Sequence, residues 1–123
     1  MCGIWGCIGT KCDLAEQCTK ELENRGPEHT CVKDLGDCTL GFTRLEINGL
    51  TLWGNQHLEG DDMHWICDGE IYNWVDLRDR HGLKTTSESD CSVLGLLFKK
   101  LKNPDLFFRC LDGVFATIIY DAS

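Results

Sequence analysis

Cys2 is the residue whose type and position best suit nucleophilic chemistry. Methionine aminopeptidases remove an initiator methionine only when the next side chain is small, and cysteine qualifies. Loss of Met1 would leave a thiol and a free α-amine on one residue. The amine, with a pKa of about 7.7–8.0, is suited to accept the proton of a thiol near 8.5 at neutral pH. That transfer raises the fraction of reactive thiolate. Any chain beginning Met-Cys-Gly meets this condition, so Cys2 alone does not name a reaction.

The other thiols and the imidazoles read differently. Nine cysteines in 123 residues is an odd count for a disulfide scaffold. Cys2, Cys7, Cys12 and Cys18 fall five or six positions apart, and no CxxC or HxxxH pattern occurs, so the spacing does not suit zinc. Eight of the nine read as reduced, small hydrophobic side chains. His29, His57, His64 and His81 share no ligand spacing and read as exposed or capping residues, so no metal is expected. Neither GxGxxG nor GxxxxGK[ST] is present, Gly54-Asn55-Gln56 reads as a plain loop, and no cofactor is implied.

Composition narrows the class further. The chain is 42% hydrophobic and 26% charged, which suits one globular domain. Its formal net charge of −8 opposes binding to nucleic acid or to an anionic membrane surface. The longest uncharged apolar run, Val114–Tyr120, is too short to span a bilayer, and Met1–Thr10 lacks the basic flank of a signal peptide. These features lead to the expectation of a soluble cytoplasmic chain.

The elements that must position Cys2 follow from periodicity. Gly3–Gly9 reads as a strand and Asp13–Glu23 as a helix with Leu14, Cys18 and Leu22 on one stripe, closed before Pro27. His29–Lys33 and Cys38–Ile47 read as strands around a turn at Leu35-Gly36-Asp37, and a long loop follows. Met63–Cys67 reads as a short buried strand ending in a turn at Asp68-Gly69. Trp74–His81 reads as a helix stopped by Gly82. A further helix opens on Ser87 as N-cap, with Asp90 in a capping-box-like place and Val93, Leu94, Leu97, Phe98 and Leu101 as its apolar face. Pro104 opens a helix to about Cys110, and Val114–Tyr120 reads as a strand buried on both faces. Mixed strands and helices without βαβ alternation predict an α+β domain.

Six blocks occur in order: MCGIWG at 1–6, RGPE at 25–28, TRLEI at 43–47, DGEIYN at 68–73, SDC at 89–91 and LDGVFA at 111–116. The series resembles the N-terminal, class II glutamine amidotransferase domain of asparagine synthetases, and the resemblance runs the length of the chain. It implies the N-terminal nucleophile hydrolase fold, a four-layer αββα sandwich, and hydrolysis of L-glutamine to glutamate and ammonia. Cys2 matches the nucleophile that forms a γ-glutamyl thioester, its α-amine serving as base and then as acid. Arg44 matches the partner of the substrate α-carboxylate, a task suited to a bidentate donor. Leu45, Glu46, Ile47 and Asn48 match backbone lining the same pocket, and Glu70 and Asp90 match groups near the substrate α-ammonium.

Three departures qualify the resemblance. Asp68 stands where the family motif has an asparagine whose amide helps form the oxyanion hole, and a carboxylate only accepts hydrogen bonds. Loss of one such donor typically costs about 10²–10³ in rate, although the Gly69 N–H remains. Asn24 precedes Arg25-Gly26-Pro27 where the family usually has histidine. The chain ends at Ser123, where family members continue through further strands and a synthetase domain. The expectation is thus a sandwich truncated at its C-terminal end, with residues 2–123 forming a partial amidotransferase domain. Its partners would be glutamine and either a synthetase chain receiving ammonia or a second copy of itself. The leading reading is a glutaminase for asparagine or related amide synthesis. The runner-up is an impaired homologue that binds glutamine or a synthetase partner without turnover.

Overall fold

A computed structural model of the chain describes residues 2–9, 12–45 and 57–123. The first sheet is antiparallel, in the order β1 (Gly3–Ile8), β3 (Cys38–Arg44), β2 (His29–Asp34). β3 is buried at every position because it lies between the other two strands and is covered on both faces. Trp5 lies opposite Gly41, where a Cβ would strike the indole, so glycine is what lets the ring lie flat across the strand. The indole N–H then donates to Thr19 Oγ1 at 3.1 Å, holding α1 (Ala15–Glu21) against this sheet. The helix is shorter than the 13–23 stripe, and the described part of the β3 segment leaves the ladder at Arg44.

The second sheet has the order β4 (Leu58–Gly60), β5 (Met63–Ile71), β6 (Gly113–Asp121), again antiparallel. β4 lies in sequence expected to be loop. It is held by a two-residue turn in which Asp61 and Asp62 both take left-handed backbone (φ 52° and 63°), the geometry that matches strand twist in tight hairpins. β5 does not turn at Asp68-Gly69 as expected. Asp68, Gly69 and Glu70 continue the ladder opposite Ala116, Phe115 and Val114. Gly69 has φ 139°, so a single glycine bends the strand without reversing it. β6 is also not buried on both faces. Among the described residues it pairs with β5 alone, is mostly half-buried, and leaves Val114 73% exposed.

Alternation along β5 divides the core. Ile66 faces Cys38, Leu40 and Phe42 of β3, with Cys2, Ile4, Ile118 and Tyr120 packed around them, so the two sheets meet through this cluster. Met63, Trp65, Cys67 and Ile71 face the other way, onto Leu77 of α2 (Trp74–His81), Leu94 and Leu97 of α3 (Leu94–Leu101) and Phe107 of α4 (Pro104–Cys110). Burying one tryptophan removes about 150–250 Å² from water, roughly 4–6 kcal/mol before entropy, which makes Trp65 a principal anchor of this layer. α2 and α4 have the bounds expected from sequence, α2 closing on Gly82 at φ 61° and α4 opening with the Asn103 side chain accepting from the Leu106 N–H. The start of α3 differs. Ser89, not Ser87, is the cap, accepting the Cys91 N–H at 3.3 Å before a 3₁₀ turn at Asp90–Val93. Ser87 instead accepts the Ser89 N–H. No helix among the described residues is long and apolar enough to cross a membrane.

Candidate functional site

Cys2 lies just ahead of β1, half-buried at the edge of the inter-sheet cluster. Its Sγ accepts a hydrogen bond from the Leu45 N–H at 3.5 Å, immediately past β3. The RGPE block closes on the same point. Gly26 sits so near the Thr43–Arg44 backbone that a Cβ there would collide with it, and Pro27 bridges to Arg44. That approach delivers Arg25, whose Nε donates to the Cys2 carbonyl at 3.0 Å and whose terminal nitrogen donates to Asp68 Oδ2 at 3.3 Å. One guanidinium thus spans the nucleophile candidate and the residue standing at the expected oxyanion position. The arginine is 44% exposed, so the pair contributes only about 0–1 kcal/mol to stability, and its main consequence is placement.

A family model described as "glutamine amidotransferase domain" matches residues 1–123. The chain belongs to this family. Among curated relatives, the "probable asparagine synthetase [glutamine-hydrolyzing]" of Acanthamoeba polyphaga mimivirus is 39% identical over 131 aligned positions, covering 98% of this chain and 24% of that protein. The "asparagine synthetase [glutamine-hydrolyzing]" of Sandersonia aurantiaca is 32% identical over 99% of this chain and 24% of its own length. That of Gallus gallus is 31% identical over 100% of this chain and 23% of its own. The chain therefore spans about a quarter of the length of these relatives.

Other site candidates of this amidotransferase domain are positioned by the same strands. Arg44 is the last residue of β3 and is buried, its carbonyl accepting the Glu28 N–H. Gly69 and Glu70 are exposed on β5. Asp90 accepts the Ile71 N–H through Oδ2 at 2.7 Å, which ties the SDC block to the DGEIYN block. β4 reaches only as far as Trp65, so beyond it the β5 amides on the edge away from β6 take acceptors from elsewhere, as Ile71 does. Glu46, Ile47 and Asn48 lie outside the described residues, as do Met1 and the Gly54-Asn55-Gln56 loop. The sequence alone does not mark Arg25 as a site residue. The signal was the RGPE block itself, but nothing local states where its side chain reaches.

Parts of two motif blocks also serve the scaffold. Asn73, just ahead of α2, donates through Nδ2 to the Cys110 carbonyl at 2.8 Å and accepts the Asp112 N–H at 3.0 Å, tying the start of α2 to the end of α4 and the approach to β6. The amidotransferase domain also has a cavity of about 640 Å³ lined by Gly60, Leu83, Lys84, Leu96, Lys99 and Lys100, none of which belongs to the six blocks or touches Cys2. Lys99 and Lys100 donate to the backbone carbonyls of Asp61 and His81.

The histidines depart from expectation. His57 and His64 are neither exposed nor capping, with side chains 12% and 17% accessible, and their rings stack at 5.5 Å between centroids. Burial lowers the pKa of His57, with His64 and Lys33 adding to the effect against the opposing pull of Glu59. Burial likewise raises the thiol pKa of Cys38 and Cys110, and Cys91 lies well above an ordinary thiol through its hydrogen bond to Cys67 and its burial.

Proposed function

We propose that residues 2–123 form a glutamine amidotransferase type 2 domain that hydrolyses L-glutamine through Cys2. The observation that carries this reading is Arg25 spanning Cys2 and Asp68, with the Leu45 N–H directed at the Cys2 sulfur. Three sequence-distant blocks, RGPE, TRLEI and DGEIYN, converge there on the block that carries Cys2. Membership of the glutamine amidotransferase family supports the reaction class, and the relatives named as glutamine-hydrolysing support glutamine as substrate. Two facing sheets with helices packed on each support the αββα arrangement of this fold.

The mechanism begins with removal of Met1. The freed α-amine takes the Cys2 proton, and the thiolate attacks the side-chain amide carbon of glutamine. The tetrahedral oxyanion collapses as the α-ammonium returns its proton to the departing nitrogen, releasing ammonia and leaving a γ-glutamyl thioester. Water attacks the thioester, glutamate leaves, and the thiol is restored. Arg44 holds the substrate carboxylate, and Glu70 and Asp90 hold its ammonium group. Arg25 offsets the charge of Asp68, which would otherwise oppose the oxyanion, while the Gly69 N–H supplies a donor. Ammonia then passes to a synthetase partner for asparagine or a related amide.

A second reading rests on Asp68. Its carboxylate accepts from Arg25 and has no proton to donate to an oxyanion, which favours a domain that binds glutamine and turns it over little. One experiment separates the two. Protein with mass-verified loss of Met1 is treated with a glutamine-mimicking diazoketone, and turnover of L-glutamine is measured in parallel. The leading reading expects Cys2-selective labelling, protection by glutamine, and ammonia release abolished by Cys2→Ala. Labelling without ammonia release supports the second reading. Uniform labelling of several thiols, unaffected by glutamine, sinks both.

A further inference from the structure

The β4–β5 hairpin places three donors on one face. His57 and Glu59 are two positions apart and so point the same way, and Glu59 lies directly opposite His64 across the ladder. The left-handed Asp61-Asp62 turn sets that register. A one-residue slip would move His64 to the opposite face of the sheet. His64 Nδ1 lies 3.3 Å from His57 Nε2 and 3.5 Å from Glu59 Oε2, and His57 Nε2 lies 3.7 Å from Glu59 Oε2. The three ligand atoms therefore form a nearly equilateral triangle.

That triangle has the size of one face of a tetrahedral zinc site. Ligands at about 2.0–2.2 Å from a tetrahedral ion are separated by about 3.3–3.6 Å from one another. Two imidazoles and one carboxylate are the zinc ligand set that leaves a fourth position for water. We propose that His57 Nε2, Glu59 and His64 Nδ1 bind a divalent transition-metal ion of the zinc type on the β4–β5 hairpin. The site is separate from Cys2. His64 and Asp68 share a strand four residues apart, about 13 Å at strand rise. Most of the preorganisation is already present, since both rings are largely buried and Glu59, 64% exposed, closes the triangle from the solvent side.

The competing account is a bare imidazole–imidazole hydrogen bond, for which Glu59 is incidental. Reduced, chelator-treated full chain is titrated with Co²⁺ and with Zn²⁺, following the visible and near-ultraviolet spectrum and the heat of binding. One equivalent of Co²⁺ should give tetrahedral visible bands without the near-ultraviolet thiolate-to-cobalt band that any of the nine cysteines would produce. His64→Asn should weaken binding by more than about 100-fold, beyond the 10–100-fold usual for an outer partner. Because His64 is largely buried, Glu59→Gln serves as the second variant, changing a mostly exposed side chain and weakening binding at least about 10-fold. Zn²⁺ should raise the melting temperature of the parent chain and not that of His64→Asn. A thiolate band, binding unchanged in Glu59→Gln, or no binding at one equivalent would overturn the proposal. None of these readouts depends on glutaminase activity.

Discussion

Asp90 Oδ2 accepts the Ile71 N–H at 2.7 Å, so the residue matched to the substrate ammonium is also a structural clasp between the α3 entry and β5. The two roles draw on different properties of the side chain. The clasp needs an acceptor, whereas the ammonium needs a charge. Asp90→Asn keeps the first and removes the second. The expected outcome is an unchanged melting temperature with KM for glutamine raised about 10- to 100-fold, the worth of roughly 1.5–3 kcal/mol for a charged hydrogen bond. Asp90→Ala should add about 1–3 kcal/mol of destabilisation by orphaning the Ile71 amide. Wild-type KM in Asp90→Asn would leave Asp90 as a clasp only.

Asp68→Asn should raise glutaminase turnover by about 10²-fold, because it replaces a charge that opposes the oxyanion with an amide donor. The Asn oxygen can still accept from Arg25, so the bridge to Cys2 survives. Equal turnover at pH 7 would mean that Asp68 does not face the oxyanion.

Arg25→Gln removes the fork that joins the Cys2 carbonyl to Asp68. Turnover is expected to fall about 10- to 100-fold while stability falls by less than about 1 kcal/mol, since the pair is exposed on the arginine side. Arg25→Lys should not rescue, because a point charge cannot span two acceptors as a planar fork does. Full activity in either variant would detach Arg25 from the site.

Gly95→Ala probes the helix–sheet packing. A Cβ at Gly95 would meet the Trp65 ring, whose N–H donates to the Cys91 carbonyl at 2.8 Å. The ring cannot move without losing that bond, so the substitution should destabilise by about 1–3 kcal/mol despite alanine's better helix propensity. Chemical denaturation reads the loss directly. A gain in stability would show that propensity outweighs packing here.

Alkaline pH should weaken the fold through its buried thiols. The Cys91 pKa is raised well above an ordinary thiol, first by the hydrogen bond to Cys67 and then by burial. Unfolded thiols release protons from about pH 8–9, while the native Cys91 keeps its own. The native state then binds more protons, so unfolding free energy falls as pH rises. Stability is fully present below about pH 8 and declines above it, by up to about 1.4 kcal/mol per pH unit for one retained proton. Cys91→Ala should flatten the decline in urea midpoints between pH 7 and 10. An unchanged slope would assign it to other groups.

Local chemistry was legible in the sequence. Trp74–His81 with its left-handed Gly82, the Asn103-Pro104 start of α4, and the two strands around Leu35-Gly36-Asp37 depend on propensities and caps spanning a few residues. The six ordered blocks identified the family because the residue types within each are contiguous. Asp68-Gly69 shows where such reasoning stops. The dipeptide has turn chemistry, but the full-length β6 ladder kept β5 extended and left Gly69 only to bend it. Ser87 and Ser89 are both competent caps, and which one caps depended on Asp90 being drawn to an amide 19 residues away. The reach of Arg25 to Cys2 and Asp68, and the triangle of His57, Glu59 and His64, depend on the approach of Gly26 to β3 and on cross-strand register. The sequence by itself determined the elements and the family, because those are encoded within a few residues. Only the tertiary structure decided which distant side chains share a site, because strand pairing and close backbone approach bring together residues whose spacing along the chain carries no such signal.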